Sequence, residues 1–306
     1  MRAAQVVELG SPPLAAEIDG DGPVEVVAVA LNPLDLAVAA GLFYGGHPPL
    51  PYIPGCEAVA RRDGTRVYVY GDGRGTTKDG FLVERTDYAG SVAITVPDEL
   101  DDTLGAACGI AGAAGWIPVA TRAPVRADDR VLVLGATGTV GSVALQAARV
   151  LGAKRVVGAG RDRERLERLR HLGANEIVTL DGDGLVERLR EACGGDGPTL
   201  VVDPLWGSVV PAAVEAAAPG ARIVHLGQSS GPQATLPSSL VRGKQLSILG
   251  FSVFALSPDE RADAYLALAA HVASGRITIE VETFPLDRVA DAWAAQARGT
   301  KAVVTL

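Results

Sequence analysis

Short β-branched runs recur along the middle of the chain: RVLVLG (130–135), RVVGAG (155–160), EIVTL (176–180), TLVVDPL (199–205), RIVHLG (222–227) and LSILGF (246–251). They repeat every roughly 20–24 residues, which leaves room for one helix between successive strands. The intervening segments carry a helical period. VGSVALQAARVLGA places Val140, Val143, Ala144, Ala147 and Leu151 on one stripe and stops at Gly152. DRERLERLRHLGA starts at Asp162, a capping residue type, and stops at Gly173. Strand and helix alternating in this way predict an α/β fold with a doubly wound parallel sheet, covered on both faces.

The flanks have a different texture. Residues 1–118 are rich in Gly, Pro and short alternating runs such as GPVEVVAVAL and TRVYVYG, which predict antiparallel strands joined by loops. The tail returns to that texture. There SPDERADAYLALAAHVASG reads as an amphipathic helix, ITIEVETFPL as a strand, DRVADAWAAQA as a helix and KAVVTL as a strand. The expected division is 1–118 for a first, mostly-β catalytic part, 119–252 for the βα domain and 253–306 for a return to the first part.

Composition narrows the classes. The 306 residues are 48% hydrophobic and 21% charged, as in an ordinary globular protein, and carry a net charge of −8. An acidic chain is a poor match for nucleic acid or an anionic membrane, so neither partner is expected. MRAAQVVELG has no long apolar core and AACGIAGAAGWIPVA is too short for a bilayer span, so no leader or membrane segment is expected. Three cysteines far apart do not make a disulfide framework, and the chain reads as reduced and cytoplasmic.

The first βα unit contains VLVLGATGTVG, a strand, a tight turn and a helix start. Gly135, Thr137, Gly138, Thr139, Val140 and Gly141 form a loop suited to a pyrophosphate, because the helix offers free N–H groups and the positive end of its dipole. A P-loop is excluded, since the one Gly-Lys pair, Gly243-Lys244, is followed by Gln245. The second strand ends VVGAGRDRER. Gly160 stands where an NAD site needs a ribose-binding carboxylate, and Arg161 follows, with Arg163 and Arg165 nearby. That pattern favours a 2′-phosphate and therefore NADPH. Arg163 and Arg165 have a bland alternative on a solvated helix face, where Glu164 and Arg168 pair at i,i+4.

Several stretches in order resemble the medium-chain dehydrogenase/reductases, specifically the zinc-independent quinone oxidoreductase branch. They are LNPLDLAVAAGLF, PYIPGCEAVA, VPDELDDTLGAA, GIAGAAGW, GATGTVG, LGAKRVV, HLGANEIV, VVDPLWG, PGARIVHLG and TKAVVTL, which together cover nearly the whole length. The resemblance implies a Rossmann domain inserted into a GroES-like catalytic domain, and a homodimer. It implies that Asn32 and Asp35 line a cleft floor near the nicotinamide, and that Phe43 or Tyr44 occupies an aromatic position over the substrate. It further implies that Gly227 and Phe251 run along the nicotinamide and that Arg298 reaches the cofactor.

YIPGCEAVA places a thiol beside a carboxylate and raises the zinc question directly. In the zinc-dependent branch the ligands are Cys, His and Cys; those positions here are Asn32, Cys56 and Cys108. An amide is a poor zinc donor, the structural four-cysteine loop is absent, and His47, His171, His225 and His271 show no metal-type spacing. The expectation is no metal. The expected reaction is hydride delivery from NADPH to a quinone or an α,β-unsaturated carbonyl, with Tyr44 the best proton donor by residue type. The alternatives are a zinc-dependent alcohol dehydrogenase using Cys56 and Cys108, a non-catalytic NADPH-binding protein, and a dedicated biosynthetic enoyl reductase.

Overall fold

The computed structural model describes residues 1–306. The chain divides into two compact units. One comprises Met1–Ala111, Tyr265–Ala273 and Ile279–Leu306; the other comprises Gly112–Ala264 and Ser274–Thr278. The first crossing therefore falls at Gly112 rather than near 119, and the second unit extends past 252 to Ala264.

The first unit opens with β1 (Arg2–Gln5), β2 (Leu14–Glu17), β3 (Val24–Ala30), α1 (Pro33–Ala39), β4 (Glu57–Arg62), β5 (Thr65–Tyr70), β6 (Arg85–Thr86), β7 (Val92–Thr95) and α2 (Asp102–Ala107). β4 and β5 form a hairpin across Asp63-Gly64, whose φ angles of 50° and 79° give the turn the twist that tight hairpins require. Paired side chains of β3, β4 and β5 (Val26, Ala58, Ala60, Val67 and Val69) bury themselves in one apolar core with Phe81 and Leu82.

The second unit runs α3 (Ala113–Ile117), β8 (Arg130–Leu134), α4 (Thr139–Val150), β9 (Arg155–Gly160), α5 (Arg163–Arg168), β10 (Glu176–Thr179), α6 (Leu185–Ala192), β11 (Leu200–Asp203), α7 (Val210–Ala216), β12 (Arg222–His225), α8 (Ser238–Gly243) and β13 (Ser247–Gly250). All six strands are parallel, in the order β10-β9-β8-β11-β12-β13. Val131, Leu132, Val133 and Leu134 of β8 are wholly buried, as a strand covered on both faces must be. Every strand expected from the β-branched runs is present, and β13 lies at the sheet edge with Ile248 38% exposed. Leu151 departs from the expected stripe. α4 ends at Val150 and Gly152 turns the chain at φ 92°, so Leu151 lies beyond the last turn and is 37% exposed, while Leu145 and Ala148 are buried instead.

The tail supplies α9 (Pro258–Ala273), β14 (Glu282–Pro285), α10 (Val289–Ala297) and β15 (Ala302–Thr305). The first unit's main sheet has the order β14-β15-β3-β4-β5-β7, with β6 on β3, and is antiparallel except for β14 on β15. The strand expected over ITIEVETFPL is shorter than its alternation. Thr278 gives its N–H and C=O to the Gln146 side chain at 2.8 and 2.9 Å, so its backbone is not available to a ladder. The helical run Asp102–Arg122 is 21 residues, longer than the apolar stretch in the sequence indicates and long enough to cross a membrane; 78% of its apolar window is buried, as in a core helix.

Asp129 ties three of the parallel strands together at their amino ends. It accepts from Arg222 at 2.5 Å, from Thr199 Oγ1 at 2.7 Å and from Arg126 N at 2.7 Å. Burial alone would raise its pKa, but these bonds, led by Arg222, hold the carboxyl below the usual range. A depressed folded-state pKa gives stability that is present above the unfolded-state value and lost as pH falls through the folded one. Asp129→Ala is therefore expected to lower stability by about 1.5–3 kcal/mol at neutral pH. The deficit should shrink on acidification, and urea denaturation at two pH values reads both.

Candidate functional site

The glycine loop sits at the carboxyl end of β8. Gly135 has φ 59°, which the turn out of the strand requires. Gly141 is demanded by packing, since a Cβ there would lie 2.4 Å from Gly135 O. Gly138 is different: a Cβ would meet nothing closer than Gly135 O at 3.6 Å. The protein's own packing leaves that position open, on the side where a phosphate would approach. Gly138 caps α4 with no side-chain hydrogen bond, so the helix presents its free N–H groups there together with Thr139 and Val140. The order of the sheet reverses direction between β8 and β11, and ligands of such sheets bind outside the carboxyl ends at that point. These residues fit a dinucleotide.

Gly160 closes β9 and faces the loop, with its would-be Cβ 3.3 Å from Thr137 Cγ2. Asp162 caps α5 by accepting from Arg165 N at 3.1 Å, and Glu164 and Arg168 pair at 2.8 Å. Arg165 is not on a solvated face: its guanidinium reaches Thr137 O at 2.9 Å and braces the loop. Arg161 and Arg163 are exposed and enter no ion pair. Gly227 and Phe251 follow β12 and β13, at the same carboxyl edge, and Phe251 N donates to His225 O at 2.9 Å.

In the first unit, Asn32 follows β3 and caps α1. Its N–H donates to Asp35 Oδ2 at 2.7 Å, while Asp35 Oδ1 accepts from Cys56 N at 2.9 Å. The Asn32 amide donates to Ala30 O at 3.1 Å and Glu57 Oε1 at 2.7 Å, and its oxygen accepts from Lys301 Nζ at 3.0 Å. Glu57, wholly buried, also accepts from Tyr68 OH at 2.7 Å and Ile110 N at 2.5 Å, with Lys301 Nζ at 3.5 Å. Lys301 completes its own set on Leu31 O at 2.9 Å. The Ile110 N–H is available because the helical run breaks at Gly109, whose ψ is −124°. Only glycine fits, because a Cβ would strike Glu57 Oε2 at 2.1 Å.

Burial pulls the Lys301 ammonium below its ordinary pKa, against the opposing pull of Glu57 and Asp35. Burial raises Asp35, opposed by its bonds from Cys56 and Asn32. It also pushes the Cys56 thiol well up, helped by Asp35, and the Cys108 thiol up to about 12. Both thiols are held protonated and inert.

The structure thus brings Asn32 and Asp35 together with Cys56 and Glu57, but at 1% exposure and with their polar atoms engaged. Phe43 and Tyr44 lie in the following loop with ring centroids 4.5 Å apart, and Tyr44 is 94% exposed. Arg298 is exposed at the end of α10. Lys301, Tyr68 and Gly109 are not singled out by the sequence patterns. The available signal for Lys301 is a charge placed directly before AVVTL, a run apolar on both faces, where a cation must find a partner.

The zinc-binding dehydrogenase family matches residues 139–271. Human quinone oxidoreductase is 28% identical, over 95% of this chain and 92% of that protein. A phenolphthiocerol/phthiocerol polyketide synthase polypeptide of Mycobacterium tuberculosis is 28% identical over 90% of this chain, which spans only 13% of that much longer protein. Among solved structures, an NAD-dependent alcohol dehydrogenase superposes with a TM-score of 0.85 at 26% identity, covering 100% of both chains. The zinc that the family description implies is not matched by the residues present. The matched segment contains none of Asn32, Cys56 and Cys108. The Cys56 N–H holds Asp35 Oδ1 in a hydrogen bond, no three His, Cys, Asp or Glu side chains are grouped to hold a metal, and an ammonium already neutralises Glu57.

Breaking the buried pair is expected to be costly. Lys301→Met leaves Glu57 without its counter-charge and should lower stability by about 3–5 kcal/mol. Glu57→Gln combined with Lys301→Met should recover more than half of that loss, as a double-mutant cycle on urea unfolding would read.

Proposed function

Because the chain belongs to the medium-chain dehydrogenase/reductase superfamily, we propose that it is an NADPH-dependent oxidoreductase. It delivers hydride to a quinone or an α,β-unsaturated carbonyl without a metal. The observation that carries this reading is the closed cluster of Glu57, Asn32 and Lys301, in which the donors a Lewis acid would need are committed to an internal cation. A simple ketone needs polarisation for hydride capture, whereas a quinone or enone is already electron-poor. The similarity to human quinone oxidoreductase supports the same acceptor class.

Bound NADPH supplies the hydride. The chain's part is to hold and orient it. The loop Gly135–Gly141 and the start of α4 take the pyrophosphate, and Arg165 keeps the loop in place. Gly160 withholds the carboxylate that would repel a 2′-phosphate, and the unpaired Arg161 meets it. Gly227 and Phe251 border the nicotinamide half, Arg298 reaches the cofactor, and Phe43 and Tyr44 pack on the acceptor. Asn32 and Asp35 act as positioning residues, since their side chains are already engaged. The exposed edge of β13 joins two copies into a homodimer by strand pairing, since an unpaired edge is a ready template. A sedimentation mass of one chain at micromolar concentration would count against the dimer.

Two measurements test the reading. In binding titrations NADPH should be favoured over NADH, and Arg161→Ala should weaken NADPH by about 1–3 kcal/mol while barely moving NADH. Equal affinity of the parent for both cofactors would remove the cofactor assignment. In an acceptor panel, NADPH oxidation should be fastest with quinones or enones and negligible with simple aliphatic ketones. Alcohol–ketone interconversion that disappears on chelation, with one zinc per chain by elemental analysis, would move the protein to the metal-using branch.

A further inference from the structure

Reduction of an enone or quinone consumes a proton as well as a hydride, and Tyr44 stands 94% exposed. A better-held proton source lies at the carboxyl edge of the parallel sheet. Asp203 and His225 are the last residues of β11 and β12 and are paired neighbours in register. Asp203 is wholly buried. Its Oδ1 accepts from Leu205 N and Trp206 N, each at 2.9 Å, but Oδ2 has no hydrogen-bond partner. His225 Nδ1 is likewise buried without a partner and lies 3.6 Å from that oxygen. Such orphaned atoms are rare in folded proteins and call for a reason. Catalytic hydrogen bonds are commonly long before ligands bind and tighten afterwards.

The surroundings hold this pair rigidly. Trp206 adopts φ 54°, an unfavoured conformation for a bulky residue, and lays its ring over the imidazole with centroids 4.1 Å apart. The loops after β11 and β12 are locked together: Leu226 N donates to Asp203 O at 3.0 Å and Ser230 N to Leu205 O at 2.8 Å. Neither loop has room for a side chain where they meet, since a Cβ at Gly207 would lie 2.1 Å from Ser230 O and one at Gly227 2.6 Å from Pro204 O. The His225 side chain remains 29% exposed, so its outer edge reaches solvent. Around the ring stand Asp203 from β11, Gly250 of β13 and Trp206 from the loop after β11; the charged groups are Asp203 and, on the β13 side, Arg122, whose Nε donates to Gly250 O at 3.1 Å.

Resting on the hydride-transfer reading above, we propose that His225 is the proton donor of the reaction, with Asp203 as its positioning residue. The paired halves of such a sheet put the nicotinamide over the strands beyond the reversal, which here are β11 and β12. As the acceptor takes the hydride pair, negative charge develops on its carbonyl oxygen. The His225 Nε2–H bond breaks and an O–H bond forms, while the N–H electrons stay on Nε2. Nδ1 stays directed at Asp203 Oδ2, and a solvent proton returns to Nε2. Burial raises the Asp203 pKa, opposed by its bonds from Trp206 N and Leu205 N.

His225→Asn tests this, because its amide can still face Asp203 but cannot titrate. With an enone acceptor, the parent's kcat should fall as pH rises, as a step that consumes an enzyme-held proton requires. The variant should be about 100-fold slower and flat over the same window, in the range for loss of a general acid. NADPH affinity by fluorescence should change less than twofold. A variant that keeps the parent's kcat and pH profile overturns the assignment. A second readout needs no turnover. In histidine NMR of the parent, NADP+ should shift the resonance that is missing in His225→Asn and leave that of the exposed His171 in place. An unmoved His225 signal removes it from the nicotinamide half even if turnover is found. A parent that binds NADP+ with the His225 shift but oxidises NADPH with no acceptor rejects the hydride-transfer reading and the donor role with it. A parent that turns over quinones or enones while the variant matches it rejects the donor role alone.

Discussion

An ammonium sealed beside a carboxylate, both out of reach of bulk solvent, must be matched bond for bond or the fold cannot hold it. Lys301 and Glu57 have side chains 1% and 0% exposed. Leaving either alone would cost several kcal/mol, so their partners are fixed as a set. β15, β3 and β4 are neighbours in the sheet. Lys301 comes directly before β15, Asn32 just after β3, and Glu57 opens β4. Antiparallel pairing of those strands delivers all three residues to the same end of the sheet. The break at Gly109 then frees Ile110 N for the carboxylate, and Tyr68 supplies the remaining donor. The chemistry of Cys56 and Cys108 follows from the same closure, because thiols buried beside carboxylates stay protonated.

This constraint explains which parts of the site can be read from sequence. The βα repeat is local: apolar period, helix caps and glycine stops fall within one turn of each other. All six parallel strands are visible in that way, and so is the Asp162 cap. The Glu57–Lys301 pair joins residues separated by 244 positions. No local window carries that information, and Glu57 beside Cys56 points more readily to metal chemistry than to a lysine at the far end of the chain. The same limit applies to Asp203 and His225, which are adjacent only through the pairing of β11 and β12.

Arg165 shows the opposite failure, where the local pattern is present but ambiguous. An arginine on a charged helix next to Glu164 and Arg168 reads equally as surface or as site. What decides it is the fold of the preceding loop, which turns Thr137 O toward the guanidinium. Leu151 belongs to the same class. Its spacing fits the buried stripe of α4, but the helix ends one residue too early for it to use that face.

The last two glycines of the loop separate information about folding from information about binding. Gly141 is required whether or not a ligand is ever present, because strand and helix backbones approach too closely for any Cβ. That glycine speaks for the fold. Gly138 is spared such pressure, since its Cβ would have 3.6 Å of clearance from the nearest atom. Its backbone is also not left-handed, with φ −86°. Gly138 thus leaves the chain open for something outside the protein to come close. The free N–H groups of α4 make that something anionic. Gly135, Gly138 and Gly141 form one sequence pattern, but it is the middle one, together with the helix it opens, that leaves room for a pyrophosphate.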